Sequence, residues 1–409
     1  MIRLSHDISL SLGGSRWTLG LLVGRAWAVA EGLNHKPVLI QTAHGVRALE
    51  LVIAAFIKGV VPILDPKKVL AEDHQYQVPQ LPPLTGDFSL LSSRELSPCP
   101  QQKIGFTTSG STGAPKVILR SLEGLVREAH SWAQNKIVDS SECMVSLVSP
   151  VHIYGFIHSF LVPAMKGINV EYLEALDLGA RFESCDVLLM VPAQWSSVAR
   201  YLADYKVGLL VSSGAPFGRH RQDELRTRLF HQCSEAVEIL GSTETGGLGY
   251  RNLLEDSESF AFFSGVHIHN SDRGSRLDSD YAPELEGFFL QDRLLPTEGG
   301  GFIHGGRLDR TFKYSGQRFD LSAIESALVK LKSVWDSRCY FQEDDTLAKG
   351  GRLVAWLCSN DLADESEFRK RYKRLTSLPC PDRLFVVDKI PTDSNGKVAM
   401  MPLLAMLGP

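Results

Sequence analysis

Between Phe106 and Lys116 the chain reads Phe-Thr-Thr-Ser-Gly-Ser-Thr-Gly-Ala-Pro-Lys, which places five hydroxyl side chains, two glycines and a lysine in eleven residues. Glycine lets backbone N–H groups turn inward at positive φ, and a nest of such groups forms an anion cradle. Thr107, Thr108, Ser109, Ser111 and Thr112 add compact donors around Gly110 and Gly113, and Lys116 adds a mobile positive charge. Together they suit a polyphosphate. The spacing is not Gly-x-x-x-x-Gly-Lys-Ser/Thr, because Gly110 and Gly113 are three apart and no hydroxyl follows Lys116. For a Gly/Ser/Thr loop taken alone, the plain alternative is a polar surface turn.

Four further segments follow in order. They are Ser212-Ser-Gly-Ala-Pro216, Leu240-Gly-Ser-Thr-Glu-Thr-Gly246, Asp292 with Gly306-Arg-Leu-Asp309, and Pro391-Thr-Asp-Ser-Asn-Gly-Lys397. With the first loop they resemble the signatures of the adenylate-forming enzymes: acyl- and aryl-CoA ligases, luciferases and peptide-synthetase adenylation domains. The likeness runs from about residue 36 to the end.

The resemblance implies an α/β fold. A large N-terminal domain, 1–308, has mostly parallel sheets and helices, and a small α+β C-terminal lid, 309–409, follows it. It also implies a two-step reaction. A carboxylate attacks the α-phosphorus of ATP and expels pyrophosphate, then a thiol displaces AMP. Catalysis of such a step is mainly positioning and electrostatics.

The roles that follow are implied by the resemblance. Thr107 to Gly113 and Lys116 hold the phosphates of ATP, and Ser213, Gly214 and Ala215 lie against the adenine and the acid. Gly241 and Ser242 belong to the same nucleotide site. Thr243 donates to the α-phosphate, and Glu244 contacts Mg²⁺, a hard cation that takes carboxylate oxygen. Asp292 accepts from the ribose diol with Arg307 beside it, fifteen residues on, although Leu290-Gln291 replace the family's usual Thr-Gly. Lys397, presented by the Asn395-Gly396 turn, bridges the acid and the α-phosphate. His152 gates the acyl pocket, which Tyr154, Gly155 and Ser213 help to line. Lys313, Ser315 and Gly316, in the loop to Arg318, line a tunnel for the thiol, and the hinge lies near Asp309. No carrier domain or Asp-Ser-Leu attachment site is read within these residues, so the thiol is expected to arrive as CoA or on a separate acyl carrier protein. A kinase-like enzyme and a non-catalytic nucleotide-binding relative remain as alternatives, although Lys116, Glu244 and Lys397 are all present.

The substrate reading rests on residues. From Val148 to Phe160 there is no Asp or Glu, and a buried ammonium without a counter-charge is costly. That disfavours an amino acid. Val151, Ile153, Tyr154, Phe156, Ser213 and Leu240 are apolar, small or aromatic, which suits an aromatic or fatty acid with a lean to benzoate- or cinnamate-type compounds.

Composition narrows the class. The 409 residues, 44% hydrophobic and 22% charged, suit a globular protein of two or more domains. A net charge of −4 gives no reason to expect nucleic acid or an anionic membrane as partner. The first residues lack a basic start followed by an apolar core, and the apolar run Leu51–Leu64 is broken by Lys58, Gly59 and Pro62. Seven scattered cysteines without a Cys-x-x-Cys pair fit reduced thiols and a cytoplasmic location, and the oligomeric state is left open.

The elements that must carry these motifs are legible as a strand–helix–strand alternation. Strands are expected at 37–40, 60–64, 143–148, 186–191, 207–212 and 236–240, with helices at 48–57 and 122–134. Residues 77–100 read as a long connection. After Arg310 the pattern changes to a helix at 321–331, a strand at 353–357, a charged helix at 365–376 and a strand at 383–387.

Overall fold

The computed structural model describes Ser5 and residues 7–12, 14–70, 75–79, 101–109, 115–137, 140–178, 183–271, 274–285, 287–331, 333–344, 346–359, 365–392 and 398–407. Its backbone is an eleven-stranded mixed sheet with the order Asp292–Pro296, Phe302–Arg307, Ser259–Phe262, Gly246–Asn252, Cys233–Ser242, Lys206–Ser212, Ser184–Met190, Cys143–Ser146, Asn169–Tyr172, Ser9–Leu12 and Ser15–Thr18. The strands from Cys233–Ser242 across to Ser9–Leu12 are parallel. Antiparallel strands extend this parallel core on both sides. The Val- and Leu-rich runs Cys185–Met190 and Val207–Ser212 are buried almost throughout, as parallel strands covered on both faces require.

A second sheet joins Val38–Ile40, Pro62–Leu64 and Lys103–Ser109 in parallel, then Lys103–Ser109 to Pro115–Ser121 as a hairpin. The helix Gly45–Lys58 packs on it. His44 opens that helix by accepting from the Arg47 N–H at 3.3 Å, and Gly59 closes it at φ 75°. Asp65, at the end of the strand Pro62–Leu64, is fully buried, and four donors satisfy it: Gln41, Val69, Leu70 and Thr107. It fixes the carboxyl end of this sheet, where the hairpin tip emerges.

Beyond residue 308 the packing starts afresh. Two buried clusters draw on residues up to Phe302, and two others on residues from Phe312 to Leu403. The latter surround the sheet Val334–Glu343, Gly351–Ser359 and Arg383–Val386, the helices Leu321–Val329 and Glu365–Leu375, and the hairpin Thr311–Tyr314/Gln317–Asp320.

The expected helices and strands are found with ends shifted by a few residues. Reading the sequence alone missed the hairpin Ser9–Thr18, the helix Leu19–Glu31 and the antiparallel strands after Gly246. The segment Lys313–Arg318, read as a loop, is a two-residue hairpin whose turn residues Ser315 and Gly316 have φ of 51° and 82°. Most of the expected connection 77–100 lies outside the described residues, though Gln77 pairs with Val38.

Candidate active site

The hairpin Lys103–Ser109/Pro115–Ser121 aligns Thr108 with Lys116 and Thr107 with Val117, so Lys116 stands exposed beside the tip. Gly110, Ser111, Thr112 and Gly113 lie outside the described residues, as does the side chain of Ser109. The Thr107 hydroxyl donates to the Leu64 carbonyl at 3.1 Å and to Asp65 at 3.2 Å. It braces the hairpin strand just short of the tip.

The turn between Cys233–Ser242 and Gly246–Asn252 carries Thr243 and Glu244, both half-buried at its tip. Side chains lock the turn from within. The Thr245 N–H donates to Ser242 Oγ at 3.1 Å, the Ser242 N–H to Thr245 Oγ1 at 3.2 Å, and Thr245 Oγ1 to the Gly246 carbonyl at 2.9 Å. Ser242 thus works at least in part as a brace. Gly241 lies where a Cβ would strike the Gly246 carbonyl. Among the described residues Glu244 makes no hydrogen bond and no ion pair, so its oxygens are open to a ligand.

A second shell of contacts ties this turn to the hairpin. Arg120, on Pro115–Ser121 and 1% exposed, donates from Nη1 to the Thr243 carbonyl at 2.9 Å, from Nη2 to the Tyr281 carbonyl at 2.8 Å, and from Nε to Glu284 at 3.0 Å. Glu128, on the helix Leu122–Lys136, accepts the Gly247 N–H at 2.9 Å. Burial pushes its carboxyl up to about 7 against the opposing pull of Arg120 and that N–H. None of these contacts was visible to motif reading.

Ser213 and Gly214 end the strand Lys206–Ser212 beside this turn, with Ser213 Oγ donating to the Ile239 carbonyl at 3.0 Å and Ala215 half-buried after them. Tyr154 reaches the same edge. Its hydroxyl lies 3.1 Å from the Val211 carbonyl and 3.4 Å from that of Met190, across the ends of two neighbouring strands. Burial raises its phenol far above the usual range, so it stays un-ionised. Gly155 is required where it stands, because a Cβ there would sit 2.1 Å from the Ser149 carbonyl. His152 caps this helix, half-buried, with its carbonyl accepting the Phe156 N–H at 2.7 Å. One turn further on, burial lowers His158 to about 3 and its ring meets Trp132 edge-on at 5.1 Å.

Asp292 and Arg307 face each other across the antiparallel pair Asp292–Pro296/Phe302–Arg307, with Arg307 Nη1 3.8 Å from Asp292 Oδ2. The sequence reading missed His304, whose Nε2 lies 2.8 Å from Asp292 Oδ1. Lys313, Ser315 and Gly316 are exposed on their hairpin, and Tyr314 between them bonds Asp382 at 3.2 Å. Lys397 lies outside the described residues. The ends of its loop are pinned by the Thr392–Val398 bridge and by the Ala399 N–H on the Pro391 carbonyl at 2.8 Å.

Among the described residues no group of three or more His, Cys, Asp or Glu side chains can hold a metal by itself. A lone carboxylate such as Glu244 still fits Mg²⁺, which keeps several waters and shares phosphate oxygens when it binds with a nucleotide.

Comparison with known proteins gives a consistent result. A family model described as AMP-binding enzyme matches residues 58–269, just over half the chain. A 4-coumarate–CoA ligase of Cereibacter sphaeroides is 28% identical over 320 residues, covering 73% of this chain and 71% of that protein. One from Rhodobacter capsulatus is 28% identical over 340 residues, covering 80% and 82%. Among solved structures, ATP-bound MatB from Rhodopseudomonas palustris superimposes with a TM-score of 0.80 at 19% identity, covering 98% of this chain and 96% of its own. A benzoate CoA ligase from Burkholderia xenovorans gives 0.78 at 16%, covering 98% and 97%. At those identities the structures share the fold.

Proposed function

The chain belongs to the AMP-binding enzyme family, and from that premise we propose that it is an acid–thiol ligase. It activates a carboxylic acid with ATP to an acyl-adenylate, releases pyrophosphate, and passes the acyl group to the thiol of CoA or of a carrier protein's phosphopantetheine. The observation that carries this reading is the side-by-side placement of the phosphate hairpin and the Thr243–Glu244 turn, joined through Arg120.

In this reading the hairpin tip and Lys116 hold the outer phosphates, and Thr243 donates to the α-phosphate. Glu244 holds Mg²⁺, which when bound neutralises charge on the phosphate oxygens. Asp292, steadied by His304 and Arg307, accepts from the ribose hydroxyls. Ser213, Gly214 and Ala215 border the adenine and the acid, and Lys397 bridges acid and α-phosphate. The acid enters past His152 to lie against Tyr154 and Gly155. The apolar, acid-free lining from Val148 to Phe160 and the 4-coumarate–CoA ligases among the relatives both favour an aromatic acid. Residues 309–409 form the lid, a division supported by the separate buried clusters on either side of Leu308. In a second orientation the lid offers Lys313, Ser315 and Gly316 to the thiol.

Pyrophosphate release with ATP and Mg²⁺ across a panel of aromatic, fatty and amino acids tests the reading. AMP and pyrophosphate are expected with aromatic acids. Release of ADP, or no acid-dependent turnover with any class, overturns it.

A further inference from the structure

Arg120 and Glu128 are charged, almost fully buried and outside every motif that the chemistry uses. Arg120 spends all three of its nitrogens on protein acceptors: the Thr243 and Tyr281 carbonyls and Glu284. Glu128 is 2% exposed, and among the described residues one of its two oxygens has a hydrogen-bond partner, the Gly247 N–H. A buried carboxylate oxygen without a partner is expensive. A folded chain with no use for the charge would fill that place with an apolar residue or a satisfied amide.

The geometry around these two groups is specific. Arg120 holds the residue just before Glu244, and Glu128 holds the third residue after it. Gly246, at φ +72°, passes so close that a Cβ would sit 2.3 Å from Glu128 Oε2 and 3.3 Å from Arg120 Nη2. The two side chains therefore hold the turn at its tip, through the Thr243 carbonyl, and where it rejoins the strand, through the Gly247 N–H. They come from one continuous stretch, the strand that follows the phosphate tip and the helix after it, which Ser121 caps by accepting the Gly124 N–H at 2.9 Å. Gly124 in turn lets the Tyr281 carbonyl approach to where a Cβ would sit 2.1 Å away.

We propose that Arg120 and Glu128 are positioning residues that clamp the Thr243–Glu244 turn to the phosphate hairpin, so that the groups serving the two ends of the triphosphate move as one body. The proposal rests on the ligase reading for its chemical consequence but not for the clamp itself. A charged acceptor holds an N–H about twice as strongly as a neutral one. Ionisation strengthens that one bond, but burial costs the charge more than the bond returns, so the turn is held best while Glu128 is protonated. The charged and titratable groups around it are Arg120 from the hairpin strand, Tyr281 with Asp280 next to it, and Glu284 beyond Arg120. Trp132, Phe263 and Gly247 close the remaining sides with apolar or backbone atoms.

The test uses the full chain and the variant Glu128→Gln, which keeps the shape and an acceptor for Gly247 but cannot ionise. Amide exchange of the 241–249 segment is measured without ligand from about pH 6 to about pH 8 and corrected for the intrinsic rate. Opening the segment lets water reach Glu128 and returns its carboxyl toward the ordinary range, so in the wild type protection falls as pH rises, and Glu128→Gln, with nothing to ionise, removes the fall. Arg120→Lys, which keeps the charge but not the three-way fork, is the second variant: it loses protection at every pH and, with ATP, Mg²⁺ and an accepted acid, roughly tenfold in kcat for adenylation, the scale of a charged hydrogen bond, while KM for the acid is unchanged. Exchange of Glu128→Gln equal to wild type at all pH values, or an Arg120→Lys variant with exchange and kcat unchanged, overturns the clamp. If the wild type shows no acid-dependent pyrophosphate release, the ligase reading falls, and the exchange data still decide the clamp.

Discussion

Replacing Glu128 by Gln is expected to make the protein more stable near neutral pH. The carboxyl stands at about 7 in the folded chain against an ordinary 4.5, because burial disfavours its charge. Each pKa unit is worth about 1.4 kcal/mol, so a gap of about 2.5 units corresponds to roughly 3 kcal/mol. The sign follows from which state binds the proton more tightly. Below about 4.5 both folded and unfolded chains hold it, and the stability is fully present. As pH rises the unfolded chain releases its proton first, so folding loses stability until the folded carboxyl has itself ionised, above about 7. Glu128→Gln has nothing to titrate, and its amide oxygen still accepts the Gly247 N–H, which limits the offsetting loss to about 1 kcal/mol. Urea unfolding of both proteins between about pH 5 and pH 8 measures this. Other titrating groups are common to the two and cancel in the difference. The variant should gain on the wild type by roughly 2–3 kcal/mol across the window. Parallel stability curves would refute the reasoning, since they would mean that Glu128 is no more costly to ionise folded than unfolded.

Other perturbations reach the neighbouring groups. Glu244→Gln should raise the Mg²⁺ concentration needed for half-maximal pyrophosphate release and leave thermal stability unchanged, because its carboxylate holds nothing else among the described residues. His304→Leu frees Asp292 from its 2.8 Å partner, and KM for ATP should rise roughly fivefold, about 1 kcal/mol, with kcat little affected; a fall in kcat alone would contradict the assignment. Lys397→Ala should slow adenylation by a factor on the order of 10²–10³, the cost of a lost charge-stabilising donor, yet spare thioester formation from supplied acyl-adenylate. Asp309→Pro, within the tight turn Leu308–Arg310, should leave adenylation intact and suppress thioester formation by stiffening the hinge, and separate assays of the two half-reactions check this.

What was legible in the sequence was local. Hydroxyl- and glycine-rich turns, the apolar strands before them and the capped helices Gly45–Lys58 and Leu122–Lys136 each advertise themselves within a dozen residues. What was not legible depends on partners far along the chain. Arg120 meets Thr243 and Tyr281 more than a hundred residues away, and a charge between apolar residues reads as solvated until the fold buries it. His304 reaches Asp292 only because the antiparallel pair sets Asp292 opposite Arg307 with a register shift before Leu294. The short strands Ser9–Leu12 and Ser15–Thr18 carry too little pattern to be told from a loop.

The division between scaffold and chemistry at this site follows from how many donors each carboxylate already has. Asp65 accepts from four donors, so it serves to fix the sheet just short of the hairpin tip. Glu238 is similarly spent, on the Phe217 N–H and on Arg251. Asp292 has two basic neighbours, one at hydrogen-bond distance and one at 3.8 Å, and keeps lone pairs for a diol. Glu128 accepts one N–H in the dark of the core, which makes its charge costly and useful only to the segment it holds. Glu244 accepts none among the described residues and stands on a turn that four separate contacts keep in shape. A motif names the type of residue, but only its unfilled valences in the fold say whether it waits for a ligand. That measure, taken over the described residues, is why Glu244 is the carboxylate we propose for the metal.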